Sequence, residues 1–121
     1  MPSGRINADG AGPDLVAADV TVGAGFGSTA TKAIKAGSND MAGAVTVTSS
    51  GTGQAQATAT IAVVFKRALD YIPVVVVSRG GGTAAMTVFP QVTAVSATGF
   101  TIRSNTLPVA SETTEFCYLV A

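Results

Sequence analysis

The sequence has no histidine, no tryptophan, one cysteine and very little charge. Without histidine, the commonest general base and the commonest transition-metal ligand are both missing. A lone cysteine, Cys117, excludes an internal disulfide. It stands inside the apolar run EFCYLV, which marks it as a small structural side chain of low reactivity. Charged residues make up 12% of the chain, about half the usual fraction. Seven basic residues balance seven acidic ones. A surface that grips phosphates needs an excess of Lys and Arg, so nucleic acid is not an expected partner. No apolar run approaches the roughly 20 residues of a membrane-spanning helix. The N-terminal MPSGRINADG has no signal-peptide apolar core. Synthesis in the cytoplasm and no membrane partner are the expectations.

Hydrophobic residues make up 47% of the 121, enough for the core of one domain. Two apolar runs dominate. In Ala55–Phe65, Ala57, Ala59, Ile61, Val63 and Phe65 alternate with Thr58, Thr60, Ala62 and Val64, the pattern of a half-buried strand. In Tyr71–Ser78, four consecutive valines predict a strand covered on both faces. Lys66–Asp70 between them reads as a solvated connection. Ala44–Thr48 and Gly99–Ser104 also alternate. Met86–Val95 contains Pro90, which lacks a ladder donor and marks an edge or a bulge. In the closing Glu115–Val120, Phe116, Tyr118 and Val120 face one way, and Cys117 and Leu119 the other. One face can enter the domain's own core; the other needs a cover. No helical stripe is sustained anywhere. The expected fold is all-β, a small antiparallel β-sandwich over residues 37–121.

Residues 1–36 read differently, being rich in Gly, Ala, Ser and Asp with scattered apolar residues. Asp19–Val22 and Thr31–Ala36 are short strand candidates. By itself such a segment buries too little to order. It is expected to be an extended N-terminal arm.

Each pattern that carries chemistry elsewhere has a plainer reading here. Arg79–Gly82 (RGGG) offers backbone N–H groups to an anion, but no Gly-Lys-Ser/Thr follows, so it reads as a loop. Asp9, Asp14 and Asp19 recur every five residues, unlike the alternate oxygens and closing glutamate of a calcium loop. Asp40 lies in GSNDMAG, a turn composition. Glu112 and Glu115 form a carboxylate pair with no aromatic sugar platform beside it. A serine or Cys117 nucleophile would lack a histidine base. Neither an enzyme nor a bound metal or cofactor is expected.

The stretch Gly37–Ala121 resembles a β-sandwich domain from the C-terminal end of bacteriophage fibre and virion-surface proteins. An ordered series of motifs carries the resemblance: GSNDMAGAVTVTSSGTG (Gly37–Gly53), VVFKRALDYIPVVVVS (Val63–Ser78), VTAVSATGFTIRS (Val92–Ser104) and the closing EFCYLVA (Glu115–Ala121). Cys117 stands where that family usually has a polar residue, often asparagine. The resemblance implies a trimeric, non-enzymatic structural protein of the virion.

With only a short segment before the domain, the expectation is a capsid decoration (cement) protein. It would form homotrimers on the outer capsid surface and bind the major capsid protein. The trimer-contact candidates are Phe89, Phe116, Tyr118 and Leu119. The capsid-contact candidates in the arm are Ile6, Leu15, Val16, Val20 and Val22. Three weak arms on one trimer would hold by avidity. The alternative is a head- or tail-fibre tip that binds a host receptor or glycan through loops around Arg79–Ala85.

Overall fold

Alternation decides which side of each strand is buried, and the strands sort into two sheets accordingly. The structure is a computed structural model that describes residues 13–121. Its strands are β1 (Val20–Val22), β2 (Thr31–Ile34), β3 (Ala42–Thr48), β4 (Thr60–Val64), β5 (Val75–Arg79), β6 (Pro90–Ser96), β7 (Gly99–Ser104) and β8 (Thr113–Val120). The only helical pieces among the described residues are three-residue 3-10 turns. One sheet has the order β1-β4-β7-β6 and the other β2-β3-β8-β5; every pairing is antiparallel. The all-β sandwich expected from the sequence is the fold.

The inward side chains of both sheets form one core. Ile61 and Val63 of β4 and Phe100 and Ile102 of β7 meet Val45 and Val47 of β3 and Phe116, Tyr118 and Val120 of β8. Aromatic rings run through it: Phe65 lies 5.9 Å from Phe100, and Phe100 lies 5.1 Å from Tyr118, both tilted. Phe26 meets Phe116 edge-on at 6.2 Å. Such geometries keep one ring's positive edge near another's negative face.

The N-terminal segment is the main departure from expectation. Residues 13–36 are not a free arm but part of the sandwich. β1 pairs with β4 and β2 with β3, each as an edge strand. Leu15, Val20 and Phe26 are buried in the core, and Val22 packs against it. Composition pointed the other way because the segment carries few anchors. Each anchor, however, fills a core position that the later strands leave empty, and burial of a whole side chain is worth about 1.5–3 kcal/mol. The boundary at residue 36/37 is therefore not a structural one. Ile6 lies outside the described residues.

Polar clasps fix the same region. The Lys66 ammonium lies 3.1 Å from the Asp19 carboxylate. The Val16 N–H donates to that carboxylate at 2.8 Å, and with Lys66 it holds Asp19 below the usual carboxylate range. The Lys32 ammonium donates to the Val20 carbonyl, tying the two edge strands β1 and β2 together across the sandwich. Gly25 lets the turn before β2 lie against residues 55–59: a Cβ there would sit 2.1 Å from the Ala55 carbonyl oxygen.

Pro90 opens β6, an edge strand, with a register shift between Val92 and Ala94. That is the edge-or-bulge placement its missing N–H dictates.

Candidate functional site

The residues that looked chemically promising serve the scaffold. Asp40 is buried, and its two carboxylate oxygens accept from the Lys66 N–H at 2.7 Å and the Arg67 N–H at 3.1 Å. It clasps the start of the connection between β4 and β5, and the Leu69 N–H donates to the Ala97 carbonyl further along. The Arg79 guanidinium is similarly committed. It donates to the carbonyls of Gly81, Ala84, Ala85 and Val88, which organises the loop from β5 to β6. Glu115 takes the Gly81 N–H at 3.0 Å. The N–H groups that an anion would need at Arg79–Gly82 are thus partly spent inside the protein. Among the described residues, no three acidic or cysteine side chains gather closely enough to hold a metal ion.

Tyr118 and Cys117 show how one strand separates its two faces. The Tyr118 hydroxyl donates to the Asn39 carbonyl at 2.6 Å from within the core. Burial, with the Asp40 carboxylate nearby, raises its pKa far above the usual phenol range. Cys117 points to the other face and is half-buried there. Burial pushes its thiol up, and the Glu115 carboxylate adds to the effect. A raised thiol pKa means little thiolate and low reactivity.

Of the four trimer-contact candidates, two belong to the protomer itself. Phe116 and Tyr118 are core residues, because the inward parity of β8 takes them. Phe89 and Leu119 are exposed. Of the arm candidates, Leu15 and Val20 are buried, Val22 is half-buried against the core, and Val16 is exposed.

What remains open is an apolar strip. β5 lies at the edge of its sheet, and since a two-layer sandwich gives each sheet one face on the core, only the inner face of β5 is covered. Val75 and Val77 pack on the core, whereas Val74 and Val76 are 66% and 57% exposed. Val76 pairs with Leu119 across the ladder, and Leu119 is 51% exposed. Upstream, Ile72 and Tyr71 are 71% and 47% exposed. The valine run thus has one bare face where two covered faces were expected. Run composition cannot show whether a further layer lies over a strand's outer face.

A second apolar group caps one end of the sandwich. Met86, Phe89, Leu107 and Val109 are exposed on the loops before β6 and after β7. Asn105 joins the two loops, donating to the Thr87 carbonyl at 2.9 Å and accepting the Phe89 N–H at 2.8 Å. The opposite end carries Asp14, Asp19, Lys35, Lys66, Arg67 and Asp70, and the described chain starts there at Pro13. Fold and surface together define a small β-sandwich with two groups of exposed apolar side chains. No family model, no curated protein and no solved structure matches the chain.

Proposed function

We propose that this chain is a structural, non-enzymatic component of a bacteriophage virion: a decoration protein that forms homotrimers on the outer capsid surface and stabilises the shell. The observation that carries the reading is the bare apolar strip Val74–Val76–Leu119 with Ile72 and Tyr71. An open hydrophobic edge is an aggregation hazard unless another chain covers it. The motif order from Gly37 to Ala121 and the low charge content support the same reading. Contact with the major capsid protein falls to the end where Pro13 and the exposed Val16 lie, since Leu15 and Val20 are committed to the core. A protein that binds only the assembled shell stabilises it by mass action.

The test is position and copy number on the particle. Many trimers spread over the capsid faces are expected. Particles lacking the protein should release their genome at a lower temperature. A few copies confined to a vertex or a tail tip would overturn the reading.

A second reading, a fibre tip that binds a host molecule, is favoured by one observation. The exposed Met86, Phe89, Leu107 and Val109 sit at the end away from Pro13, where a tip would present a binding surface. Copies found only at a fibre end would select it.

A further inference from the structure

We infer that the cavity between the two sheets, at the end of the sandwich away from Pro13, is a binding site for an ordered water molecule held by Thr114. β8 turns Thr114 inward, in step with Phe116 and Tyr118, and pairs it with the buried Val47 of β3. Phe26, Val47 and Val88 lie on the same cavity wall. Valine would fill that position without a polar atom to satisfy. Thr114 is 6% exposed, and its hydroxyl has no hydrogen-bond partner among the described residues. The adjacent Thr113 differs, since its hydroxyl accepts the Thr83 N–H at 3.0 Å. A hydroxyl buried without a partner is unfavourable, so a partner is expected beside Thr114.

The cavity is of a size for water and not for an organic ligand. It offers about 20 Å³. One water needs roughly 10–15 Å³, and pockets for organic ligands start at about 300 Å³.

The other polar groups on the wall supply acceptors. The Ser49 hydroxyl donates to the Phe26 carbonyl at 2.7 Å and accepts from the Gln54 amide at 3.3 Å, which leaves it one lone pair. The Ser104 hydroxyl donates to the Thr106 carbonyl at 2.9 Å and accepts the Thr106 N–H at 3.3 Å, which also leaves it one. Glu112 lines the same cavity, and its carboxylate accepts no hydrogen bond from the described residues. Of the three hydroxyls, that of Thr114 alone still has a proton to give. A water that accepts it keeps two protons of its own for these acceptors, and three bonds are what a buried water typically makes. Ser49 follows β3, Ser104 ends β7 and Thr114 lies near the start of β8, so the water joins one sheet to the other.

The full-length protein is the material for the test. A high-resolution crystal structure of the wild type is expected to show a water within about 3.2 Å of the Thr114 hydroxyl oxygen. In solution, oxygen-17 relaxation dispersion is expected to count one long-lived water fewer in Thr114→Val than in the wild type, with Thr114→Ser matching the wild type. A cavity that is empty in the crystal, or that holds an organic molecule, would overturn the inference. Equal water counts in wild type and Thr114→Val would overturn it too. Should Thr114→Val fail to fold, the wild-type crystal structure decides alone.

Discussion

Asp40 shows what a single buried carboxylate does in a chain with so little charge. It accepts two backbone N–H groups from Lys66 and Arg67 and so fixes the connection from β4 to β5. Asp40→Ala leaves both part-buried donors without their acceptor, and losing such a hydrogen bond costs about 1–3 kcal/mol. A loss of that order in urea denaturation is expected, with Asp40→Asn retaining part of it. Tyr118 gives a pH signature. Its folded pKa lies above the unfolded value near 10, so its contribution is complete below pH 10 and is lost as pH rises further. The melting temperature should fall above about pH 10, and Tyr118→Phe should flatten part of that slope. At neutral pH the same variant loses the bond to the Asn39 carbonyl, worth about 1 kcal/mol. Neither role is legible in sequence. GSNDMAG announces a turn, but the N–H groups that Asp40 captures lie 26 and 27 residues away. Arg79 is hidden in the same way, since RGGG does not reveal that the guanidinium satisfies the loop's own carbonyls.

Among the elements, β1 is the most instructive. Three residues cannot hold a strand by ladder bonds alone, but Val20 and the neighbouring Leu15 fill the core, and Asp19 meets Lys66. Leu15→Ala should therefore destabilise the whole sandwich by about 2–5 kcal/mol, and Val20→Ala by a little less. Both should be read as lower denaturation midpoints at unchanged m-value. Stability within about 0.5 kcal/mol of wild type for both would mean that the segment acts as an arm after all. β5 errs in the opposite direction. Its valines are those of a central strand, yet it lies at an edge. Period-two segments such as β4 and β7 were readable because large apolar side chains alternate with polar or small ones and so show which face is buried. A uniform run carries no such label.

At the scale of the whole molecule the two ends of the sandwich differ: Asp14, Asp19, Lys35, Lys66, Arg67 and Asp70 lie near Pro13, and the exposed Met86, Phe89, Leu107 and Val109 lie at the other end with Arg79 and Glu112. Association through an uncharged strip is expected to resist salt. Raising sodium chloride from about 50 to 500 mM, which shortens the screening length severalfold, should leave the oligomer mass unchanged. Dissociation over that range would assign the contact to ion pairs instead. Composition and alternation by themselves determined the class of fold: an all-β sandwich with β4 and β7 turned inward as they are. They did so because burial of one strand face is a local, periodic property of the chain. Only the tertiary structure decided that β1 and β2 complete the sandwich, that Phe116 and Tyr118 serve the core, and that the valine run ends at a bare edge. Those facts depend on which strand lies beside which, and strand order arises from contacts between residues far apart in sequence.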